Sequence, residues 1–365
     1  MKNRHKTEEL SLAKNYKLFL NRKLGNGAFG EIYKGEEIST HKKIAVKCET
    51  IQEKKSSTLK KEIEILRYLR GIQGIPKLYL YIFSKSYNFM LFELLGPNID
   101  ELFHFCGKKF SLTTVLSLGL QMLNRIETIH SLHIIHRDIK PENFLIGKKD
   151  KLSTVYLCDF GLSKRFRDQK TGNHIPYKNN KHFAGTPSFA SVYTHLGCEQ
   201  SRRDDLESLA YILIYLGTGT LPWGGLKSKG KDEKYSKILS KKMNVTKEEL
   251  LNGLPEEFMD FLQNVRDLQF EEKPDYEYLK GLLRKMNTSD VSLEKVKMDY
   301  LSLYEKNTIK NKIDKCEYAK DNYMNNGESK RATKSNSNND TNINRVTKQK
   351  INKQINTLTK VKRYI

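Results

Sequence analysis

The chain has 365 residues, 38% of them hydrophobic, and 65 Lys+Arg against 43 Asp+Glu, a net charge of +22. That is enough apolar material for one large two-part domain with a tail, or for two modest domains. The five cysteines (Cys48, Cys106, Cys158, Cys198, Cys316) show neither metal-ligand nor disulfide-framework spacing, which argues for a reducing, intracellular setting.

Residues 1–15 read as an extension; no apolar run follows Met1 to Lys6 as a secretory signal requires. Residues 16–95 read as strands with one helix. Leu18, Leu20 and Leu24 precede a glycine cluster, and Glu31 to Lys34 resumes a strand. Ile44-Ala45-Val46-Lys47-Cys48 is a further strand, and Leu59, Ile63, Leu66 and Leu69 have helical spacing. Tyr79, Tyr81 and Tyr87 read as packing, and Phe89-Met90-Leu91-Phe92 as a buried strand ending at Gly96-Pro97. Beyond Gly96 the pattern turns helical: Leu112 to Leu132, Asp204 to Leu216, Glu248 to Leu251 and Glu256 to Leu268. Lys60-Lys61 and Lys241-Lys242 read as solvated helix faces, and Trp223, the single tryptophan, as a core anchor. Val291 to Lys306 is expected to form one more helix. From Asn325 the composition is rich in Asn, Lys, Ser and Thr with few large apolar residues, as in disordered chain. A strand-rich front and a helical back suggest two lobes of one catalytic domain.

Gly25-Asn26-Gly27-Ala28-Phe29-Gly30 is a G-x-G-x-x-G run, in which glycines let backbone N–H groups approach phosphates. Alone it also fits a hairpin turn, or a dinucleotide loop if a helix followed; Glu31 to Gly35 is strand-like instead. Lys47 ends a buried strand, where a charge needs a partner, and Glu62 on the amphipathic helix is the natural one. Taken singly, an ordinary edge-strand lysine and a surface glutamate are the better fit. His136-Arg137-Asp138-Ile139-Lys140-Pro141-Glu142-Asn143 is more specific, and Asp159-Phe160-Gly161 follows the strand Thr154 to Cys158. His130, His133 and His136 recur every three residues, but His136 is better explained by its loop than by zinc. Order and spacing together match the catalytic elements of a protein kinase.

The chain resembles the casein kinase I family of Ser/Thr protein kinases over about residues 16 to 285. The resemblance rests on Phe92-Glu93-Leu94-Leu95-Gly96-Pro97, His174-Ile175-Pro176-Tyr177, Thr194-His195-Leu196-Gly197 and the run Glu199 to Ser208. Leu221-Pro222-Trp223 and Lys273-Pro274-Asp275-Tyr276 add to it. No Ala-Pro-Glu follows the activation loop, and Ser191-Val192-Tyr193 stands where this family has Ser-Ile-Asn. The resemblance implies an α+β, two-lobed fold: an N-lobe of antiparallel sheet plus one helix (16–95), a mainly helical C-lobe (96–285), and a basic tail (286–365). It implies ATP and Mg²⁺ as cofactors. Leu24, Gly25, Gly27, Gly30, Ile32 and Ala45 would surround the nucleotide. Lys47, paired with Glu62, would hold its phosphates, and Phe92, Glu93 and Leu95 would line the adenine side. Asp138 would be the base, Lys140 the γ-phosphate contact, and Asn143 and Asp159 the metal ligands. Thr186 would buttress Asp138, and Asp205 would tie the buried helix to the catalytic loop.

The family favours sites already acidic or phosphorylated, through an anion pocket of an arginine, a glycine and a lysine. Here Gly225 and Lys234 are present, but Ser188 stands at the arginine position; a serine offers one hydrogen bond and no charged fork. Weaker preference for phospho-primed substrates is expected, with Lys181, Lys231 or Arg202 available to compensate. Activity without activation-loop phosphorylation is expected too. Partners are then protein substrates with acidic or phosphorylated segments, with nucleic acid only an accessory contact, and the protein a monomer. The apolar stretch near 209–216 is too short for a bilayer, and Lys362-Arg363-Tyr364-Ile365 carries no cysteine for a lipid, so the expectation is a soluble protein of nucleus or cytoplasm. Residues 290–365 carry 17 Lys+Arg and 9 Asp+Glu, so most of the positive charge lies on the body. The tail reads as an inert extension, a nuclear-import or nucleic-acid arm, or a regulatory segment with Thr333, Ser335, Ser337 and Thr341 as acceptors. The competing readings are a pseudokinase scaffold, which would have lost Lys47, Asp138, Asn143 or Asp159, and a nucleic-acid-binding protein, for which no recognition module is visible.

Overall fold

The computed structural model describes residues 9–27, 30–51 and 57–301. The disordered tail expected from Asn325, with its candidate acceptors, lies outside these residues, as do Ala28 and Phe29 of the glycine run. The chain divides into two compact units. Among the described residues, one contains the chain up to Ile63 with Lys77–Leu94; the other contains Glu64–Pro76 and residues 95–301.

The first unit is an antiparallel sheet of six strands: β1 (Glu9–Ala13), β2 (Tyr16–Gly27), β3 (Gly30–Glu37), β4 (Lys43–Thr50), β5 (Leu78–Phe83) and β6 (Tyr87–Glu93). Their order is β1-β2-β3-β4-β6-β5. Side chains alternate across the sheet with period two. Along β4, Ile44 and Val46 join Leu10, Leu12, Leu18, Phe89 and Leu91 in one apolar layer, with Tyr79 and Tyr87 packed against it. Ala45 and Lys47 face the other way. The sheet begins ahead of Tyr16, within the stretch read from sequence as an extension. Leu10 pairs with Leu18, and Leu10 and Leu12 are buried while Glu9 and Ser11 are exposed. Each buried leucine contributes about 1.5–3 kcal/mol. Five residues of alternation are too short a run to stand out in the sequence. The helix α1 (Thr58–Tyr68) opens in this unit and buries Leu59, Ile63 and Leu66. Lys60 and Lys61 are exposed, as expected.

The second unit is mainly helical: α2 (Ile99–Phe105), α3 (Leu112–Ser131), α4 (Val192–His195), α5 (Arg202–Thr218), α6 (Lys231–Asn244), α7 (Lys247–Leu251), α8 (Glu257–Asp267) and α9 (Tyr276–Lys285). Two small hairpin-like pairs interrupt it, β7 (Ile134–Ile135) with β10 (Lys164–Arg165) and β8 (Phe144–Ile146) with β9 (Val155–Leu157). The core is built on α5, buried without a break from Arg202 to Ile214. Gly119 brings α3 against it: a Cβ there would lie 2.8 Å from Leu213 Cδ2. Helix starts follow capping chemistry. Asn98 and Glu101 form a reciprocal box at α2, Ser111 caps α3, and Asp275 caps α9.

The segment after α9 departs from expectation. Val291 onward is not a continuous helix: a 3-10 turn spans Leu293–Lys295, residues 299–301 are helical, and residues 302–306 lie outside the described chain. The backbone is taken up by α3 instead. Ser117 Oγ donates to Leu293 O at 2.7 Å. The Asp299 carboxylate accepts from Ser111 N at 2.6 Å and Ser111 Oγ at 2.9 Å. Leu293, Met298 and Tyr300 are buried.

A candidate active site

The first unit carries the nucleotide-side candidates. Register puts Gly25, Ile32, Lys47 and Met90 opposite one another across β2, β3, β4 and β6, and Ala45 opposite Phe92. Gly25, Ile32, Ala45, Lys47 and Phe92 therefore share one face of the sheet. Gly27 pairs with Gly30 at the tip of the β2–β3 hairpin, and Leu24 falls at a ladder irregularity between Lys23 and Gly25. Glu93 pairs with Ile44 on the edge of this array. The Lys47 ammonium meets the Glu62 carboxylate at 2.7 Å, with Lys47 2% and Glu62 3% exposed. This is the partner that a buried strand lysine needs; removing either one leaves a buried charge uncompensated, at about 3–5 kcal/mol. Leu95 belongs to the second unit, where it is buried.

The second unit carries the catalytic-loop candidates. The loop between β7 and β8 is fixed from α5. Asp205 accepts from His136 N at 2.7 Å, Arg137 N at 2.8 Å and His130 Nε2 at 2.9 Å. Burial alone would raise its carboxyl; the hydrogen bonds from the His130 ring and from the His136 backbone outweigh it and hold the group below its ordinary value. Burial in turn lowers His130. Since a carboxylate only accepts, His130 Nε2 bears the proton and Nδ1 accepts from Tyr276 Oη at 2.8 Å. Two backbone N–H groups pointed at one carboxylate force Arg137 into the left-handed region, φ 68°. His136 receives Asp138 N on Nδ1 at 3.3 Å and donates from Nε2 to Cys158 O at 3.0 Å, tying the loop to the strand before Asp159.

Three side chains converge on Asp138. Thr186 Oγ1 donates to its Oδ1 at 2.7 Å, and Lys140 Nζ lies 2.8 Å from Oδ2. Asn143 Nδ2 donates to Asp138 O at 2.8 Å and to Oδ2 at 3.3 Å. Lys140 also reaches Thr186 Oγ1 at 3.1 Å. Cys158 N donates to Asn143 O at 2.9 Å. Asp159 sits at φ 63°, ψ 70°, a left-handed corner between β9 and the 3-10 turn of Phe160–Leu162. Gly185, at φ 115°, lets the segment before Thr186 pass the loop: a Cβ would stand 2.8 Å from Arg137 O.

The anion-pocket candidates are spread over three elements. Ser188 lies on the turn after Thr186, where its carbonyl accepts from Trp223 Nε1 at 2.8 Å. Gly225, two residues past Trp223, is in a left-handed conformation. Lys234 is exposed in the first turns of α6. Of the cations available to compensate for Ser188, Arg202 is buried over the Phe166 ring. Lys181 lies 3.3 Å from Glu199, which also holds Lys164 at 2.8 Å. Lys231 opens α6, exposed. Trp223 is a core residue as expected, 2% exposed.

Three residues escape the sequence reading. Asp204 accepts from Ser191 Oγ and from Ser201 N. Glu207 accepts from Val192 N at 3.2 Å and Tyr211 Oη at 2.6 Å, and pairs with Arg266 at 3.3 Å. Together they anchor from α5 a segment that has no Ala-Pro-Glu triplet. Both lie in the run Glu199 to Ser208, in which only Arg202 and Asp205 had been given roles. Lys242 corrects the reading of Lys241-Lys242 as a solvated face. Lys241 is paired with Glu249 at the surface, whereas Lys242 is 1% exposed. Adjacent lysines on a helix point about 100° apart, so a doublet on a packed helix can straddle solvent and core.

The family model of the protein kinase domain matches residues 19–286. The chain belongs to the protein kinase domain family, and is thus an ATP-using enzyme that acts on protein substrates. Among the described residues no helix is long and apolar enough to cross a membrane.

Proposed function

We propose that this is a casein kinase I-like Ser/Thr kinase that moves the γ-phosphate of Mg-ATP to hydroxyls of acidic protein substrates. The observation that carries the reading is the set of hydrogen bonds around Asp138. Thr186, Lys140 and Asn143 fix both carboxylate oxygens, so the group is oriented before any substrate arrives. In this reading Asp138 orients the acceptor hydroxyl and takes its proton, while Lys140 stands ready for the transferred phosphoryl group. Lys47, held by Glu62, carries the nucleotide phosphates, with Gly25, Gly27, Gly30, Leu24, Ile32, Ala45, Phe92, Glu93 and Leu95 around the rest. The catalytic body spans 16–285 in two parts, 16–95 and 96–285, extended by β1 and by the segment to Leu301.

The donor set suits a hard divalent cation: the Asn143 amide nitrogen is spent on Asp138, leaving its oxygen, and Asp159 adds a carboxylate. Asn143 and Asp159 would hold Mg²⁺, which when bound neutralises phosphate charge. The family-specific segments support the casein kinase I assignment, and Ser188 supports a weakened preference for primed sites. The basic body favours acidic substrates, with nucleic acid an accessory contact. We read the protein as monomeric and of nucleus or cytoplasm.

The competing reading is a scaffold without catalysis. Radiolabel transfer from ATP to casein separates the two. Wild type should label casein, and Asp138→Asn should lower the rate by ~10²–10⁴-fold, the usual contribution of a positioned base. Absence of transfer by folded wild-type protein would refute the proposal.

A further inference from the structure

Immediately after Thr186, the backbone makes a tight turn: Phe189 N and Ala190 N both donate to Thr186 O, at 3.0 and 2.9 Å. The carbonyls of Pro187, Ser188 and Ala190 are each received by a side chain of the helical unit. Lys242 Nζ donates to Pro187 O at 3.0 Å and to Ala190 O. His195 Nε2 lies 3.1 Å from Pro187 O, and Trp223 Nε1 takes Ser188 O. Thr186, at the head of the turn, bonds Asp138.

Lys242 is the one donor in this set that is charged and bonds two carbonyls at once. Among the described residues no carboxylate forms an ion pair with it. Its ammonium lies 4.6 Å from the Tyr211 ring centroid and 5.1 Å from that of Trp223, faces that attract a cation. A buried lysine aimed at two backbone carbonyls is a costly way to fill a core; methionine would fill the same volume without desolvating a charge.

Deepening the kinase reading proposed above, we infer that Lys242 is a positioning residue, whose ammonium clamps Pro187 and Ala190 so that Thr186 and the peptide-facing turn hold their place beside Asp138. Protein turnover should then follow the charge on Lys242. Burial pushes the group down to about 7, with the charge of Glu207 opposing and that of Arg266 adding. The groups facing it are His195 from α4, Glu207 and Tyr211 from α5, and Arg266 from α8. His195 is held down to about 4 by burial and by Lys242 itself; burial raises Tyr211 well above its ordinary value; and Arg266 is raised by Tyr211 and Glu207 against the pull of burial. None of these three titrates between pH 6 and 9. The clamp is charged below about pH 7 and weakens as pH rises through it, because charge-assisted hydrogen bonds are about twice as strong as neutral ones.

The test uses the full chain, an acidic peptide substrate and ATP from pH 6 to 9. For wild type, peptide kcat/KM should fall about tenfold with a midpoint near 7, while the KM for ATP stays within twofold. Lys242→Arg, charged throughout, should keep activity at pH 6.5 and lose the fall; Lys242→Met should be at least tenfold lower at pH 6.5 and flat. A wild-type profile unchanged by Lys242→Arg, or a Lys242→Met variant with normal peptide kinetics, would overturn the inference. Emission of Trp223, the single tryptophan, provides a reading independent of turnover. Wild type should show a spectral transition near pH 7 that Lys242→Met lacks. The same transition in both proteins sinks the clamp, whereas its presence in a protein that transfers no phosphate leaves the clamp standing and removes the kinase reading.

Discussion

The catalytic loop and the turn at Thr186 to Ala190 are neighbours that meet at the Thr186 hydroxyl, yet they are secured in opposite ways. The loop is held through its own characteristic side chains and through backbone N–H groups directed at Asp205. The turn is held through its backbone carbonyls, by donors that come from α4, α6 and the Trp223 loop. A segment fixed by its side chains must keep them. A segment fixed by its carbonyls is free to change them, which is how Ser188 can stand at a position tied to substrate choice while the turn keeps its shape.

This contrast can be broken most forcefully at Asp205. Asp205→Asn removes the charge that receives two loop N–H groups and His130, at about 1.5–3 kcal/mol for such a bond. Chemical denaturation should show a loss of ~3 kcal/mol, together with a collapse of kcat. If the loop kept full activity, its anchorage from α5 would be incidental. The junction itself is probed by Gly185→Ala, which places a Cβ 2.8 Å from Arg137 O at a φ of 115°. About 1–3 kcal/mol of strain is expected, seen as a lowered Tm and a lower kcat; unchanged values would mean that loop and turn move apart without consequence. The smallest change is Ser188→Arg. If the turn tolerates side-chain exchange, stability should stay within ~0.5 kcal/mol. The ratio of kcat/KM on a phospho-primed peptide to that on its unphosphorylated twin should rise about tenfold, near the value of a charged hydrogen bond. A large loss of stability instead would show that the serine is structural.

The same distinction explains what the sequence made legible. Asp138, Lys140 and Asn143 come together because a motif of fixed spacing crosses one short loop, whereas Thr186 arrives from 48 positions further on and was reached through the family resemblance; alternation along β4 was enough to bury Lys47 toward Glu62. The helices were visible in their apolar periods. β1 was missed because Leu10 and Leu12 are too few to make a pattern. The helix expected from Val291 does not start there, because Leu293 and Asp299 bond to α3, pairings between residues 176 and 188 positions apart in the chain; helix is present only from Asp299 among the described residues. Lys242 was misread for a related reason. Its partners are carbonyls, which every residue possesses, so nothing in the partners' identity could announce it.

That late pairing on α3 has a practical side. The family match closes at residue 286, yet Asp299 occupies the open donor end of α3, and Leu293, Met298 and Tyr300 fill space beside it. Trimming the chain at the family boundary would unpick this hem. It would bare the apolar seam along one of the central helices and leave the first turn of α3 to be capped by Ser111 alone.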